Sequence, residues 1–551
     1  MFVPALTLIL ALASSTVIAV PMIDNVYKRD VDSLDPSSTE LPFYFPESFY
    51  EDIPHSGDSP SPSSEEDDAK TATDFIFNRL NLGENDFKVS NSYTDSFGIG
   101  HVYGTHMVNG VGVANHQAAA HVKNGKVTFF SSSFGTDQHL TKRDLIISEA
   151  NATLSFETGG LEVWCATTTG EIVQAINFAK KASYKVVQIP RRDPTEGFSV
   201  VTKPEFIGSS PKGWTDGNAT EGNNVITKTP SGKTTPSTKD GVFDTKFNGD
   251  DEPDTDANIA AAAVNLFYLS NIMHDISYQY GFTEKAGNFQ KDNFGKGGQG
   301  GDAVTINVLN PSSSNDATFF APADGRPGVM NMFRFTITTP NRSGGLDNGI
   351  VLHEYAHGIT SRLTGGAATS GCLSTDEAGG MSEGWSDIMA MMVLAKDSDT
   401  ATTGITIGAY IINNLRGFRS HPYTTNMTVN PLTYGGLKAR SEVHDVGEVW
   451  ASMLWEVYWG LVTKHGFSTN LYDTKQSAGN IVTMKIIIGG LMLQSCNPTF
   501  LGARDAIIAA DKLHYKSANK CEIYKAFAKR GLGLKATDTR TDDFSVPPEC
   551  Q

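Results

Sequence analysis

The residues with the strongest chemical character lie in Val351-Leu352-His353-Glu354-Tyr355-Ala356-His357-Gly358-Ile359-Thr360, which carries the spacing H-E-x-x-H in a stretch that reads as helix. Four residues make about one helical turn, so His353 and His357 share a face and both imidazoles can reach one Zn²⁺. Glu354 lies beside them, placed to act as a base toward water. Two nitrogens leave a catalytic zinc one ligand short, because such an ion usually takes three protein groups and keeps a fourth position open. The third is expected from Gly379-Gly380-Met381-Ser382-Glu383-Gly384-Trp385-Ser386-Asp387, where Glu383 opens a second predicted helix and Asp387 follows one turn later on the same face. Glu383 therefore reads as the carboxylate ligand. Asp387 reads as the acceptor that fixes the orientation and tautomer of a ligating imidazole.

A chain of 551 residues with 39% apolar content can bury more than one core. A formal net charge of −17 argues against nucleic acid and anionic membranes as partners, since either needs a basic face. Residues 1–19 form an apolar run ending in Val17-Ile18-Ala19, which reads as a signal peptide and is short for a membrane span, although its start lacks Lys and Arg. The expected product is a secreted, extracellular monomer. The sequons at Asn151, Asn218, Asn341 and Asn426 agree with that route as glycosylation candidates. In an oxidising compartment the cysteines are potential disulfides, and with Cys165 assigned to a pro-segment, Cys372, Cys496, Cys521 and Cys550 allow three pairings.

Residues 20–70 are dominated by Ser, Pro, Asp and Glu from Asp35 to Lys70 and are expected to stay disordered. From 71 to about 135 a helix-like stretch gives way to alternating strands with turn signals at Asn109-Gly110 and Asn124-Gly125. Strands and polar loops run from 182 to about 255, a long apolar helix is predicted over Ala257 to Tyr280, and after residue 360 helices are predicted near 382–396, 444–464 and 476–495. The resulting fold class is α+β, with a mixed region at 182–360, a mainly helical region at 361–551, and the zinc helix at the floor of a cleft between them. Two patterns carry no site. Gly295 to Gly300 fits G-x-G-x-x-G but precedes a strand-like run instead of a helix, and the acidic run Asp250 to Asp254 lacks the spacing of a Ca²⁺ loop.

The order His-Glu-x-x-His then Glu on a later helix resembles the thermolysin-type metalloproteases. The wording of Gly349 to Glu354 and Met381 to Asp387 resembles the fungalysin family of secreted fungal metalloendopeptidases, as do Asn265 to Asp275, Asn293-Phe294-Gly295 and Asn497-Pro498-Thr499-Phe500. The resemblance runs from about residue 75 to near the end of the chain. It implies a two-lobed thermolysin-like zinc protease behind an α+β propeptide at 71–181, which would lie over the cleft as an intramolecular inhibitor until cleaved near Lys180-Lys181, with Lys28-Arg29, Lys142-Arg143 and Arg191-Arg192 as alternative dibasic sites. His101-Val102-Tyr103 and Asn109-Gly110-Val111 are similar to that propeptide, with His106 where the family usually has Gln and a shortened stretch near Trp164-Cys165.

The same resemblance implies roles for further residues. His444, in Glu442-Val443-His444, would stabilise the oxyanion, whereas Ser374 occupies the place of thermolysin's tyrosine donor, nine positions before Glu383. Asp316 and Ala317 would lie on the edge strand that pairs with a peptide substrate. Arg419 would hold the carbonyl after the scissile bond. Ile350 and Phe418 would line a pocket for a bulky hydrophobic residue just after the cut. Cys496 would pair with Cys521. Two other readings are a zinc aminopeptidase, for which Gly328-Val329-Met330-Asn331 lacks the expected Glu, and a catalytically silent secreted binding protein.

Overall fold

The computed structural model describes residues 49–53, 64–83, 85–95, 97–108, 110–134, 161–165, 172–177 and 182–551. The expected leader, Lys180-Lys181 and Asn151 lie outside the described residues.

Helix α1 (Glu65–Leu80) starts at a capping box, in which Ser64 accepts from Asp67 N and the Asp67 side chain reaches back to Ser64 N. Four acidic residues in its first turn suit the positive end of the helix. It covers one face of a five-stranded antiparallel sheet in the order β1-β5-β4-β3-β2. The strands are β1 (Phe49–Asp52), β2 (Phe87–Thr94), β3 (Ile99–Val108), β4 (Val111–Lys123) and β5 (Lys126–Ser132). Asn124 and Gly125, at φ 54° and 71°, turn β4 into β5 as their sequence predicts. Strand alternation gives this sheet two buried faces. Val102, Ala118, Ala120, Val122 and Phe130 pack with Ala72 and Ile76 of α1. Tyr93, Ile99, Tyr103, Ala119 and Phe129 join the large core of the following region.

The expectation of disorder over 20–70 fails at both described places. β1 pairs with β5 from Phe49↔Ser132 to Asp52↔Phe129, anchored by Phe49 on Phe130 and Tyr50 on Phe129, and α1 begins at Glu65. The aromatic pairs offset the ordering entropy of β1, and the acidic run serves as a helix N-terminus. Further on, β6 (Leu161–Cys165) and β7 (Ile172–Asn177) form an antiparallel pair.

β8 (Ser183–Val186) is the middle strand of a three-stranded sheet with β9 (Ser199–Thr202) and β11 (Val242–Phe243). In the sheet β10-β12-β14-β13, the strands β10 (Val225–Lys228), β12 (Val304–Asn307) and β14 (Val329–Met332) are parallel. β13 (Ala317–Phe320) runs antiparallel as the edge. A small ladder joins β15 (Arg334–Phe335) to β16 (Arg342–Ser343). Helix α2 (Asp256–Gln279) is buried without a break from Ala261 to Ser277, with apolar residues on all sides and buried polar side chains such as Asn265 and Asp275 hydrogen-bonded. Gly295 to Gly300 forms a loop before β12, with no helix after it.

Helix α3 (Asn348–Leu363) packs against α2, β13 and α4 (Asp376–Leu394). Then follow α5 (Val443–His465), α6 (Gly479–Leu493), α7 (Phe500–Tyr515) and α8 (Lys520–Lys529). Glu383 does not open α4 as expected. The helix starts at Asp376, capped by Thr375, and runs through Gly379, Gly380 and Gly384. These glycines admit α5: a Cβ on Gly380 would stand 2.3 Å from Val446 Cγ1, and one on Gly384 2.6 Å from Gly447 O.

The expected Cys496–Cys521 bridge is also corrected. Cys496 pairs with Cys372 and Cys521 with Cys550. After α6 the chain turns so that Asn497 N donates to Cys372 O at 2.8 Å and Asn497 Oδ1 accepts from Ser374 N at 2.8 Å, bringing the Cα atoms of Cys372 and Cys496 to 4.4 Å. Cys521, at the start of α8, meets the end of the chain instead. Asn218 and Asn426 are exposed and Asn341 is half-buried. No helix among the described residues is long and apolar enough to cross a membrane.

Candidate metal centre

Asp347 caps α3 by accepting from Ile350 N, and two turns later the helix presents His353 and His357 edge to face, with ring centroids 4.7 Å apart. Their Nε2 atoms are 3.1 Å from each other. Glu383 reaches in from α4, with Oε2 3.1 Å from His353 Nε2 and Oε1 3.5 Å from His357 Nε2. Among the described residues, this is the group of three whose donor atoms converge.

The outer nitrogens are already engaged. His353 Nδ1 lies 2.7 Å from Asp387 Oδ1, and His357 Nδ1 lies 3.1 Å from Ser382 Oγ. With protons on both Nδ1 atoms, two bare Nε2 atoms and a carboxylate oxygen face one another. Donors around a tetrahedral Zn²⁺ at about 2.0–2.1 Å stand about 3.4 Å apart, so the three side chains fit that ion in both chemistry and spacing. Burial opposes a charge on His353, but the bonds and charges of Asp387 and Glu383 outweigh it and lift its pKa to about 10. Burial likewise opposes ionisation of Glu383, yet His357 and His353 hold its carboxyl well below the usual range. The point between them favours positive charge.

Asp387 is fully buried and heavily engaged. Arg419 grips it through Nε at 2.7 Å and Nη2 at 2.9 Å, and the Tyr423 hydroxyl also donates to it. Burial alone would raise its pKa, but Arg419 and His353 hold it well below the carboxylate range. Arg419 is thus no surface ion pair, and it still lines the cleft.

That cleft, of about 360 Å³, brings together His353, Glu354, Ile350, Asp316, Ala317, Phe418, Arg419 and His444. Glu354 is 6% exposed, and burial raises its carboxyl pKa despite the histidines beside it. Ala317 begins edge strand β13, and Asp316 Oδ1 accepts from Ala317 N. Ile350, Ile407, Phe335 and Phe418 form an apolar wall, with the Phe335 and Phe418 rings 5.9 Å apart. His444, half-exposed, places Nε2 3.4 Å from Glu383 Oε2, while its Nδ1 lies 2.7 Å from Glu442 Oε1. Ser374 is outside the cleft lining, bonded to Gly371 O.

Sequence reasoning missed several participants. Glu442 stands at the N-cap of α5, its Oε2 accepting from His444 N and Asp445 N, a role its place just before a predicted helix could have suggested. Ser382 adjoins the candidate ligand Glu383 in sequence. Tyr423, Ile407 and Phe335 come from distant segments and carry no local signal. The acidic run at Asp250 to Asp254 is drawn into other bonds, with Asp254 paired to Arg334 and Glu252 accepting from Asn341 N.

Comparison with known proteins agrees with this arrangement. The sequence model of the fungalysin metallopeptidases (M36) matches residues 183–536, and that of the fungalysin/thermolysin propeptide matches residues 85–134. Extracellular metalloproteinase 9 of Coccidioides posadasii is 36% identical over 86% of this chain and 88% of its own length. Extracellular metalloproteinase MEP of Pyricularia oryzae is 42% identical over 67% of this chain and 61% of its own, and extracellular metalloproteinase mep of Aspergillus terreus is 42% identical over 69% and 63%. The chain thus spans less than two thirds of these last two relatives. With one model covering the candidate metal centre and the other the sheet before it, the chain belongs to the fungalysin metallopeptidase family.

Proposed function

We propose that this protein is a secreted zinc metalloendopeptidase, made as a zymogen, whose two-lobed thermolysin-like catalytic region follows a propeptide ending near residue 181. The observation that carries the reading is the convergence of His353, His357 and Glu383 beside a buried Glu354 that has no metal to hold. A zinc ion on these three side chains supplies Lewis acidity, polarising the scissile carbonyl and acidifying the attacking water.

The remaining work falls to the chain itself. β13, an edge strand among the described residues, offers its free side to an extended peptide, with Asp316 just before it and Ala317 at its start, and Arg419 faces the carbonyl beyond the cut. The wall of Ile350, Ile407, Phe335 and Phe418 suits a bulky apolar side chain there. Glu354 takes the proton of the attacking water and passes it to the departing amine, a transfer that its buried, raised-pKa carboxyl favours. His444, steadied by Glu442, donates to the developing oxyanion.

The test is digestion of an end-blocked casein by the processed protein, with bound metal measured on the same sample. Hydrolysis should stop with a zinc chelator and return with zinc, and Glu354→Gln should lower kcat by about 10²- to 10⁴-fold with zinc retained. Cleavage only of substrates with a free amine would indicate an aminopeptidase, and full activity of Glu354→Gln would sink the mechanism.

A further inference from the structure

The face of the five-stranded sheet turned away from α1 carries histidines among its aromatics. The β3–β4 register sets His101 directly opposite His121, next to the Tyr103↔Ala119 pair, and the two histidines are 1% and 0% exposed. Their Nδ1 atoms lie 3.0 Å apart, and His101 Nε2 lies 3.3 Å from Asp95 Oδ2. This chain of contacts orders the protons. His101 donates through Nε2 to Asp95, so its Nδ1 accepts from His121 Nδ1, and His121 Nε2 remains a buried acceptor with no partner among the described residues. A proton added at His121 Nε2 meets no acceptor among the described residues.

Helices α6 and α7 cover this face. Tyr103 OH donates to Met492 O at 2.9 Å, Lys123 donates to Leu513 O, and Asp52 pairs with Lys512 at 2.6 Å. Phe97 meets the His514 ring edge-on at 4.9 Å and lies 3.4 Å beneath Lys485 Nζ. His514 itself rests on Gly489, where a Cβ would come within 2.9 Å of its Nε2, and its buried Nδ1 has no partner among the described residues. The groups around His121 and His514 are His101, Asp95, Tyr93, Tyr103 and Lys123 from the sheet, Lys485 from α6 and Tyr515 beside His514, with Lys516 next to Lys123. At His514 the Asp95 carboxylate opposes Lys485 and Lys123, while Asp52 is taken up by Lys512. Burial holds His121 well below the usual imidazole range and pushes His514 down to about 3, with Lys485 and Lys123 adding to the second effect against Asp95.

We propose that this interface is a proton-released latch: uncharged His121 and His514 hold the N-terminal sheet on α6 and α7 near neutral pH, and acidification detaches it. Detached, both imidazoles meet water and return to about 6.5. Docked, they stay neutral to much lower pH. Docking is therefore at full strength above about 6.5 and weakens as pH falls, by about tenfold per unit for each histidine, or about 30-fold each at pH 5. The latch does not depend on the chain being a peptidase, and its test does not read activity.

The intact full chain carrying Glu354→Gln, which prevents self-digestion, is labelled with hydroxyl radicals across a urea series at pH 7.5 and 5.0. Oxidation of Tyr93 and Tyr103 marks detachment, and that of Tyr268 in α2 marks unfolding of the main core. The expected result is a detachment midpoint that drops to much lower urea at pH 5.0, ahead of the Tyr268 midpoint. His514→Asn and His121→Phe should each remove about half of that drop, and if His121→Phe does not fold, His514→Asn decides alone. Midpoints that move together with pH, or a drop unchanged in the variants, would overturn the latch.

Discussion

Gly447 on α5 faces Glu383 on α4 so closely that a Cβ on Gly447 would stand 2.6 Å from the Cβ of Glu383 and 2.9 Å from Gly380 O. The contact presses one helix onto the carboxylate that completes the candidate metal centre. Gly447→Ala must push α4 aside, at a cost of about 1–3 kcal/mol, the usual range for overpacking. We expect a lower Tm together with weaker zinc retention in a chelator competition. A variant that loses stability but holds zinc as tightly as the parent would show that α5 does not set Glu383.

Glu442 does two jobs for His444, capping α5 and accepting from its Nδ1. Glu442→Ala should lose about 1 kcal/mol of helix capping and let the imidazole swing. The expected signature is a fall in kcat with KM little changed. It should be smaller than the roughly 10²- to 10³-fold fall expected for His444→Ala, the usual cost of an oxyanion donor. Steady-state kinetics on one fluorogenic peptide compare the two variants, and a pure KM effect would contradict the assignment.

Asp347 gives stability a pH dependence of its own. Burial, with Asp193 nearby, pushes its carboxyl up to about 7. A carboxyl raised in the folded state stabilises fully below its unfolded pKa near 4, and that contribution is lost as pH climbs through 7. Asp347→Asn keeps a cap of similar quality but cannot ionise. Relative to the parent, the variant should therefore gain stability between pH 4 and pH 8, by up to the order of 4 kcal/mol. Thermal melts of both proteins across that window are the check, and parallel Tm curves would refute it.

Cys372–Cys496 closes a span of 124 residues and ties the segment before α4 to the end of α6. Its removal by Cys372→Ser should cost about 2–5 kcal/mol, seen as a lower Tm. Removing Cys550, whose bridge spans 29 residues, should cost less. Peptide mapping without reduction should recover 372–496 and 521–550 as the linked pairs.

The convergence of the candidate metal ligands was legible because it obeys backbone periodicity. His353 and His357 are one turn apart on one helix, Asp387 one turn beyond Glu383 on another, and such spacings hold wherever the helices settle. The turn at Asn124-Gly125 was legible for the same reason, since its residues favour positive φ by themselves. Tertiary structure decided what depends on segments remote in sequence. It chose Cys372 for Cys496, gave Arg419 and Tyr423 to Asp387, and drew Ile407 and Phe335 to the cleft. It also began α4 before Gly379 and Gly380, ahead of the expected start, and set α5 in the space a Cβ on Gly380 or Gly384 would fill. The sequence alone determined the chemistry each short element can present, through the fixed rise and twist of the backbone. Which elements meet was settled by the packing of a core assembled from the whole chain, a sum of many weak contacts that no local window contains.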